Sequence, residues 1–224
     1  MWFSLTYAII MHSLTTTRKM LQRLDVYLTS FEWGNFSKSK LSILQAFLKI
    51  ATKDGYDAVS MRSLAKAVDL KPPTMYSHFP AGKDQIVSSA FRWHYYSFAM
   101  AVKEGLSQSE TLEEYWSALI RVHIIQQIKH PENDLFDMLM ATDRLGSILP
   151  TDLRSEMIEW LSFCDFMYES IATDLGIDDA KQKSKIIRVT LDGANSWWKW
   201  DDSQENLEEC IRYAERIAAG ILKI

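Results

Sequence analysis

The stretch that decides the fold runs Gly55-Tyr56-Asp57-Ala58-Val59-Ser60-Met61-Arg62-Ser63-Leu64-Ala65-Lys66-Ala67-Val68-Asp69-Leu70-Lys71-Pro72-Pro73-Thr74-Met75-Tyr76-Ser77-His78-Phe79. Its spacing predicts two short helices joined by a tight turn. Ser60 supplies an oxygen for the free N–H groups of the first, which carries Met61, Leu64, Ala65 and Val68 inward. Pro72 and Pro73 open the second, where a missing N–H leaves nothing unpaired. This is a helix-turn-helix pattern. A recognition helix must enter a major groove about 12 Å wide. Its first residues meet base edges, while flanking hydroxyls and cations hold phosphates. Leu64, Ala65, Val68, Leu70, Met75 and Phe79 fall on the inward side. Lys71, Pro72, Pro73, Thr74, Ser77 and His78 fall outward, with Tyr76 placed to reach a backbone phosphate.

Outward from this stretch the chain reads as all helix. Apolar residues recur with a period near 3.6, without sustained strand-like alternation. Residues 39–53 form a first helix with Ile43, Leu44, Phe47, Leu48 and Ala51 on one face, stopped at Asp54-Gly55 by a left-handed glycine. A long helix over 83–103 follows the turn Pro80-Ala81-Gly82. Further helices are expected over 111–129, 133–144, 152–174, 179–199 and 204–221. Residues 14–31 have a helical pattern, and 1–13 are expected to be a disordered tail or an unused upstream start. The chain has 224 residues, 47% of them hydrophobic and only 13 of them Gly or Pro, a globular balance with material for a core.

Charge is divided along the chain. Residues 37–103 hold ten Lys or Arg against four Asp or Glu; residues 104–224 hold twelve against twenty-three. A basic segment on an acidic body is the electrostatic outline of a nucleic-acid-binding head whose body stays off phosphate.

Gly55 to Ala67, then Pro73-Thr74-Met75-Tyr76-Ser77-His78-Phe79 and Lys83-Asp84, resemble the DNA-binding head of TetR-type (TetR/AcrR) transcriptional regulators. The resemblance covers roughly residues 39–91. It implies an all-α protein: an N-terminal three-helix helix-turn-helix domain over residues 37–82 and a C-terminal helical bundle over 83–224 that binds a ligand and dimerises. The 83–103 helix would connect them, and residues 1–36 would be an N-terminal extension, partly helical or disordered. Position by position, it implies DNA-binding roles for Lys38 and Lys40 before the first helix, and for Ser60 and Arg62 at the start of the second. Lys71, Pro72, Pro73 and Thr74 would face the groove, Tyr76 and His78 would meet backbone or bases, and Lys83 would neutralise a phosphate. Two positions depart from the family pattern. Asp69 stands where the turn usually has Gly, and tolerates the left-handed region better than most residues. Lys71 replaces a small capping residue, so that helix start loses a side-chain acceptor.

The acidic body is expected to be a sensor. Palindromic operators need two heads about one helical turn apart, which a two-fold homodimer provides. Ile186, Ile187, Val189, Leu191, Ala194, Trp197 and Trp198, with Leu207, Ile211, Ala214, Ile217, Ala218 and Ile221, would make a four-helix bundle across the two-fold or pack within one chain; periodicity fits both. Ala214, Ala218 and Gly220 would permit close approach. Candidate contacts to a small-molecule effector are Trp116, His123, Met138, Cys164, Asn195 and Trp197. A regulator whose body binds a protein partner, or one that activates, shares the same head.

An enzyme is not expected. The chain lacks Gly-x-Ser-x-Gly, a phosphate-binding glycine loop and His-Glu-x-x-His, and its histidines and two cysteines lack metal-ligand spacing, so no catalytic residue, metal or cofactor is assigned. Two cysteines make no disulfide framework, which fits a reducing cytoplasm. No apolar run reaches the roughly 20 residues of a membrane span, and Met1–Met11 lacks the basic start of a signal peptide.

Overall fold

The computed structural model describes residues 15–30, 36–130, 132–146 and 149–223, and those residues form helices without strands. In chain order they are α1 (Thr15–Thr29), α2 (Lys38–Asp54), α3 (Met61–Ala67), α4 (Pro72–His78), α5 (Lys83–Leu106) and α6 (Leu112–Lys129). Then come α7 (Glu132–Gly146), α8 (Thr151–Asp174), α9 (Ala180–Asp192), the single turn α10 (Ala194–Trp197) and α11 (Gln204–Leu222). A 3-10 turn, Tyr56–Ala58, joins α2 to α3. The expected tail over 1–13 lies outside the described residues.

The chain divides into two compact units, each assembled from separate segments. The described residues of Ser30–Ser97 and His130–Ile158 make the head unit; those of Met1–Thr29, Phe98–Lys129 and Glu159–Ile224 make the body unit.

In the head unit, α2 buries Ile43, Leu44 and Phe47 with Leu64 of α3, Met75 of α4, Phe79, and Ile86 and Phe91 of α5. Each large side chain taken from water contributes about 1.5–3 kcal/mol. Ser37 caps α2, accepting from the Lys40 N–H at 3.3 Å. Gly55 ends it at φ 87°, ψ 158°. The expected left-handed glycine is therefore corrected: φ is positive, but ψ is extended, a combination open essentially to glycine alone. Phe136 of α7 packs edge-on against Phe91, with centroids 4.3 Å apart. The Arg92 guanidinium of α5 donates to both oxygens of Glu156 on α8, at 2.6 and 2.7 Å.

In the body unit, α1 is a structural helix burying Thr17, Met20, Leu24 and Leu28. Tyr27 packs against Trp160 and Phe163 of α8, and Arg23 lies over Phe163. Leu207, Cys210, Ile211, Ala214, Ala218 and Leu222 form the buried face of α11, which runs along α6 and α9. Burial pushes the Cys210 thiol up to about 12, an inert packing group. The Val122 side chain lies against the Gly105 backbone, where a Cβ would stand 2.2 Å from Cγ2 of the valine.

The expected helix over 179–199 stops at Asp192. Gly193 interrupts it, the Ser196 hydroxyl donates to the Gly193 carbonyl at 2.6 Å, and the Trp197 indole donates to the Thr190 carbonyl at 2.8 Å. Side chains thus take acceptors that a continuing helix would use.

Candidate nucleic-acid interface

The turn into α3 is built by two serines. The Ser60 hydroxyl accepts from the Ser63 N–H at 3.0 Å, and the Ser63 hydroxyl receives the Ser60 N–H at 2.8 Å. This reciprocal cap satisfies donors that would otherwise be unpaired. It leaves Ser60 and Arg62 exposed at the helix start. Asp69 holds φ 51° in the following turn, the left-handed conformation expected of it. Lys71 stands at the N-cap of α4 without a side-chain cap bond, also as expected. Met75 and Phe79 are buried beneath α4, whereas Val68 and Leu70 are only partly covered.

The outward side of α4 is polar and open. Lys71, Pro72, Pro73 and Ser77 are exposed; Thr74 and His78 are partly covered. Tyr76 is 50% exposed. A Cβ on Gly82, itself at φ 68°, would meet Cε1 of the Tyr76 ring at 3.6 Å, so the ring rests on the glycine turn. Lys38 is exposed, while the Lys40 ammonium lies 5.2 Å from the Phe36 ring centroid and 5.9 Å from that of Phe79. Lys83 differs from these. Its ammonium donates to the Tyr56 carbonyl at 3.3 Å and sits 4.0 Å from the Tyr56 ring centroid.

The structure therefore brings Ser60, Arg62, Lys71, Pro72, Pro73, Thr74, Tyr76, His78 and Lys83 into one unit with Lys38 and Lys40. Exposed cations, a hydroxyl and a short proline-opened helix make a surface suited to a polyanion.

The six candidate effector contacts do not converge in this way. Trp116 and His123 do meet, through Tyr168. The Tyr168 oxygen lies 2.8 Å from His123 Nδ1, and the Trp116 ring packs edge-on against the tyrosine, centroids 5.7 Å apart. Cys164 is partly covered, one turn before Tyr168 on α8. Asn195 is exposed and donates to the Gln127 carbonyl at 3.1 Å; the Trp197 indole is held by Thr190. Met138 belongs to the head unit and is 53% exposed there.

Sequence reasoning missed the rest of the polar network around His123. Asp192 Oδ1 lies 3.1 Å from His123 Nε2, the other Asp192 oxygen takes the Arg188 guanidinium, and Arg188 also holds Asp165. One tautomer satisfies the imidazole: Tyr168 O–H donates to Nδ1 and Nε2–H donates to Asp192. Burial pushes the Tyr168 hydroxyl well above the ordinary phenol range. The i,i+4 spacing of Arg188 and Asp192 was the one sequence signal for this network. No group of three potential metal ligands occurs among the described residues, and none of the described helices is long and apolar enough to cross a membrane.

Comparison with known proteins bears on both units. Residues 43–90 match the family model for bacterial regulatory proteins of the tetR family. Over 50 residues the chain is 44% identical to the HTH-type transcriptional repressor KstR of Mycolicibacterium smegmatis and 42% identical to KstR of Rhodococcus jostii. Each match covers 22% of this chain and 24% of the relative, so the chain aligns with about a quarter of the length of the curated relatives it matches. The fold is similar over a longer span. A TetR transcription regulator from Haloarcula marismortui superposes with a TM-score of 0.64 at 15% identity, over 83% of this chain and 98% of that one. The ketosteroid transcriptional regulator KstR2 of Mycobacterium tuberculosis gives 0.67 at 15% identity, over 84% and 96%. The helix-turn-helix head matches the tetR family model in sequence over residues 43–90, and the all-helical architecture is similar in fold to TetR-family regulators.

Proposed function

We propose that this protein is a transcriptional regulator of the TetR family, a cytoplasmic repressor that works as a homodimer. Each copy seats α4 in one of two successive major grooves of a palindromic operator, and a small molecule bound in the body releases it. The observation that carries the DNA-binding part is the outward face of α3 and α4. Arg62, Lys71 and Tyr76 are exposed beside a proline-opened helix start over a buried Leu64–Met75–Phe79 floor. Lys38, Lys71 and Tyr76 hold phosphates in this reading, and Arg62, Thr74 and His78 face base edges.

The dimer reading rests on α9 and α11. Ile186 and Val189 are 45% and 54% exposed on the outer side of α9, and Tyr213 is exposed on α11. Apolar side chains on two neighbouring helices suit a four-helix contact with a second copy. Ala214 and Ala218, whose spacing fits either a contact across the two-fold or packing within one chain, are buried within the chain. Small residues there serve intrachain packing, leaving the contact to the larger exposed side chains.

Selection from random duplexes followed by fluorescence anisotropy tests the reading. A palindrome should emerge, with affinity falling steeply as salt rises because phosphate contacts release counterions. Replacing Tyr76 by Phe and Lys71 by Ala together should weaken binding to all sequences. Arg62→Ala should cost about 1–3 kcal/mol and relax preference at one position. Full affinity in the Tyr76→Phe/Lys71→Ala protein at moderate salt would falsify the assignment of this face.

A further inference from the structure

We infer that Lys83 is a positioning residue for DNA binding rather than a phosphate ligand: by clamping Tyr56 it fixes the N-terminus of α3 that presents Ser60 and Arg62. The inference rests on the DNA-binding reading above and refines how that surface is held.

Both contacts of the ammonium are with one residue. It donates to the Tyr56 carbonyl at 3.3 Å while lying over the face of the same residue's ring, 4.0 Å from the centroid. A cation held over a tyrosine face is attracted by the ring quadrupole. The carbonyl bond adds direction, and together they fix both the backbone and the side chain of Tyr56. The ring is pinned on another side by Phe47 of α2, edge-on at 6.5 Å. Burial, together with Asp84 and Asp57 nearby, holds the Tyr56 hydroxyl above its ordinary range, so the ring stays a neutral platform.

From Tyr56 the restraint passes along the backbone. Tyr56–Ala58 is a 3-10 turn closed by Ala58 N–H to the Gly55 carbonyl at 3.1 Å and Val59 N–H to the Tyr56 carbonyl at 3.2 Å. The Tyr56 carbonyl thus accepts from both Val59 and Lys83. The Ser63 hydroxyl reaches back to the Ala58 carbonyl at 3.0 Å and completes the cap with Ser60. A continuous set of contacts therefore runs from the first residue of α5 to the exposed start of α3. The residue before Lys83 supports the other helix, since Gly82 is where the Tyr76 ring of α4 rests. The α5 N-terminus orients both halves of the DNA-facing surface.

Position and charge separate cleanly in a salt titration. Removing a phosphate ligand lowers the slope of log affinity against log salt by about one; losing a positioning contact lowers affinity and leaves the slope alone. Anisotropy titrations of the full chain on its selected operator across potassium chloride provide the measurement, with Lys71→Ala as the phosphate-contact reference. Lys83→Ala should weaken binding about three- to tenfold, the range of a partly covered cation–π contact, with the wild-type slope. Tyr56→Leu should do the same with the charge of Lys83 intact, and the double variant should be no weaker than the weaker single. Lys83→Arg should restore affinity, because a guanidinium stacks and donates in the same place. Tyr56→Phe, keeping ring and carbonyl, should bind like wild type. A slope reduced by about one in Lys83→Ala, or wild-type affinity in Tyr56→Leu, overturns the inference. If Lys83→Ala does not fold, Tyr56→Leu against Tyr56→Phe decides it alone. Absence of operator binding by the wild-type chain would instead remove the DNA-binding reading.

Discussion

The Asp174 carboxylate, at the end of α8, caps α1 from 157 residues away: it accepts the Thr17 N–H at 2.7 Å. The Thr16 N–H points to the same carboxylate, at 2.9 and 3.1 Å from its two oxygens. A helix start normally finds its cap in the residue just before it, whereas here a remote helix supplies it. The negative charge also faces the positive end of the helix dipole.

Asp174→Ala should therefore destabilise the protein by about 1–2 kcal/mol, the upper range for losing a charged cap. Urea unfolding followed by circular dichroism measures it. Lys103→Ala removes the exposed ion pair between Lys103 of α5 and Asp25 of α1 and should cost under about 0.5 kcal/mol. Equal losses in the two variants would contradict the capping argument.

Gly105 should not accept a methyl group. With a Cβ 2.2 Å from a valine methyl, either Val122 must leave its rotamer or α5 and α6 must part. Gly105→Ala should cost about 1–3 kcal/mol as overpacking, and Val122→Ala should recover part of that in the double variant. A double-mutant cycle by chemical denaturation reads the coupling; purely additive losses would place the strain elsewhere.

The His94 imidazole is pushed down from 6.5 to about 4 by burial, against the pull of the Glu132 carboxylate. Its ring lies 4.3 Å from that of Phe136 in the head unit. The unfolded chain binds this proton below about pH 6.5 and the folded chain does not until about pH 4. Stability present above pH 6.5 should thus decline as pH falls toward 4, by about 2 kcal/mol at pH 5. His94→Leu should flatten that part of the profile. Urea midpoints at neutral pH and at pH 5 give the comparison, and an unchanged acid loss in the variant would rule His94 out as its source.

Asp69 holds a left-handed backbone at the turn between α3 and α4. Asp69→Gly should leave stability unchanged or raise it by up to about 1 kcal/mol, because glycine adopts this region without a Cβ penalty. Asp69→Val should lower it by about 1–2 kcal/mol, since a branched side chain fits that region poorly. Thermal unfolding of the two variants should move the midpoint in opposite senses or leave only the valine variant shifted.

What was legible in the sequence is what neighbours in sequence decide. Ser60 as a cap, Asp69 at positive φ and the uncapped Lys71 depend on residues within three or four positions of each other. Their backbone geometry follows from side-chain oxygens and Cβ sterics. Periodicity likewise separated buried Met75 and Phe79 from exposed Tyr76. It could not find Asp174 as the cap of α1, Asp165 as a partner of Arg188, or the ring beneath Lys83, because those pairs are set by tertiary packing. The end of α9 was missed for another reason. The run 179–199 has a helical apolar pattern, and the interruption comes from Gly193, Ser196 and the Trp197 indole competing for carbonyls, which a pattern of apolar residues does not register.

The remote cap on α1 has a consequence for the newborn protein. The first described helix leaves the ribosome long before Asp174 has been translated, and it goes without that cap until α8 follows. The helix-turn-helix segment finishes emerging during that wait, with α2, α3 and α4 close together in sequence. Synthesis therefore imposes an order: the segment from α2 to α4 can condense early, while the body must hold its opening helix in reserve until more than three-quarters of the chain is made.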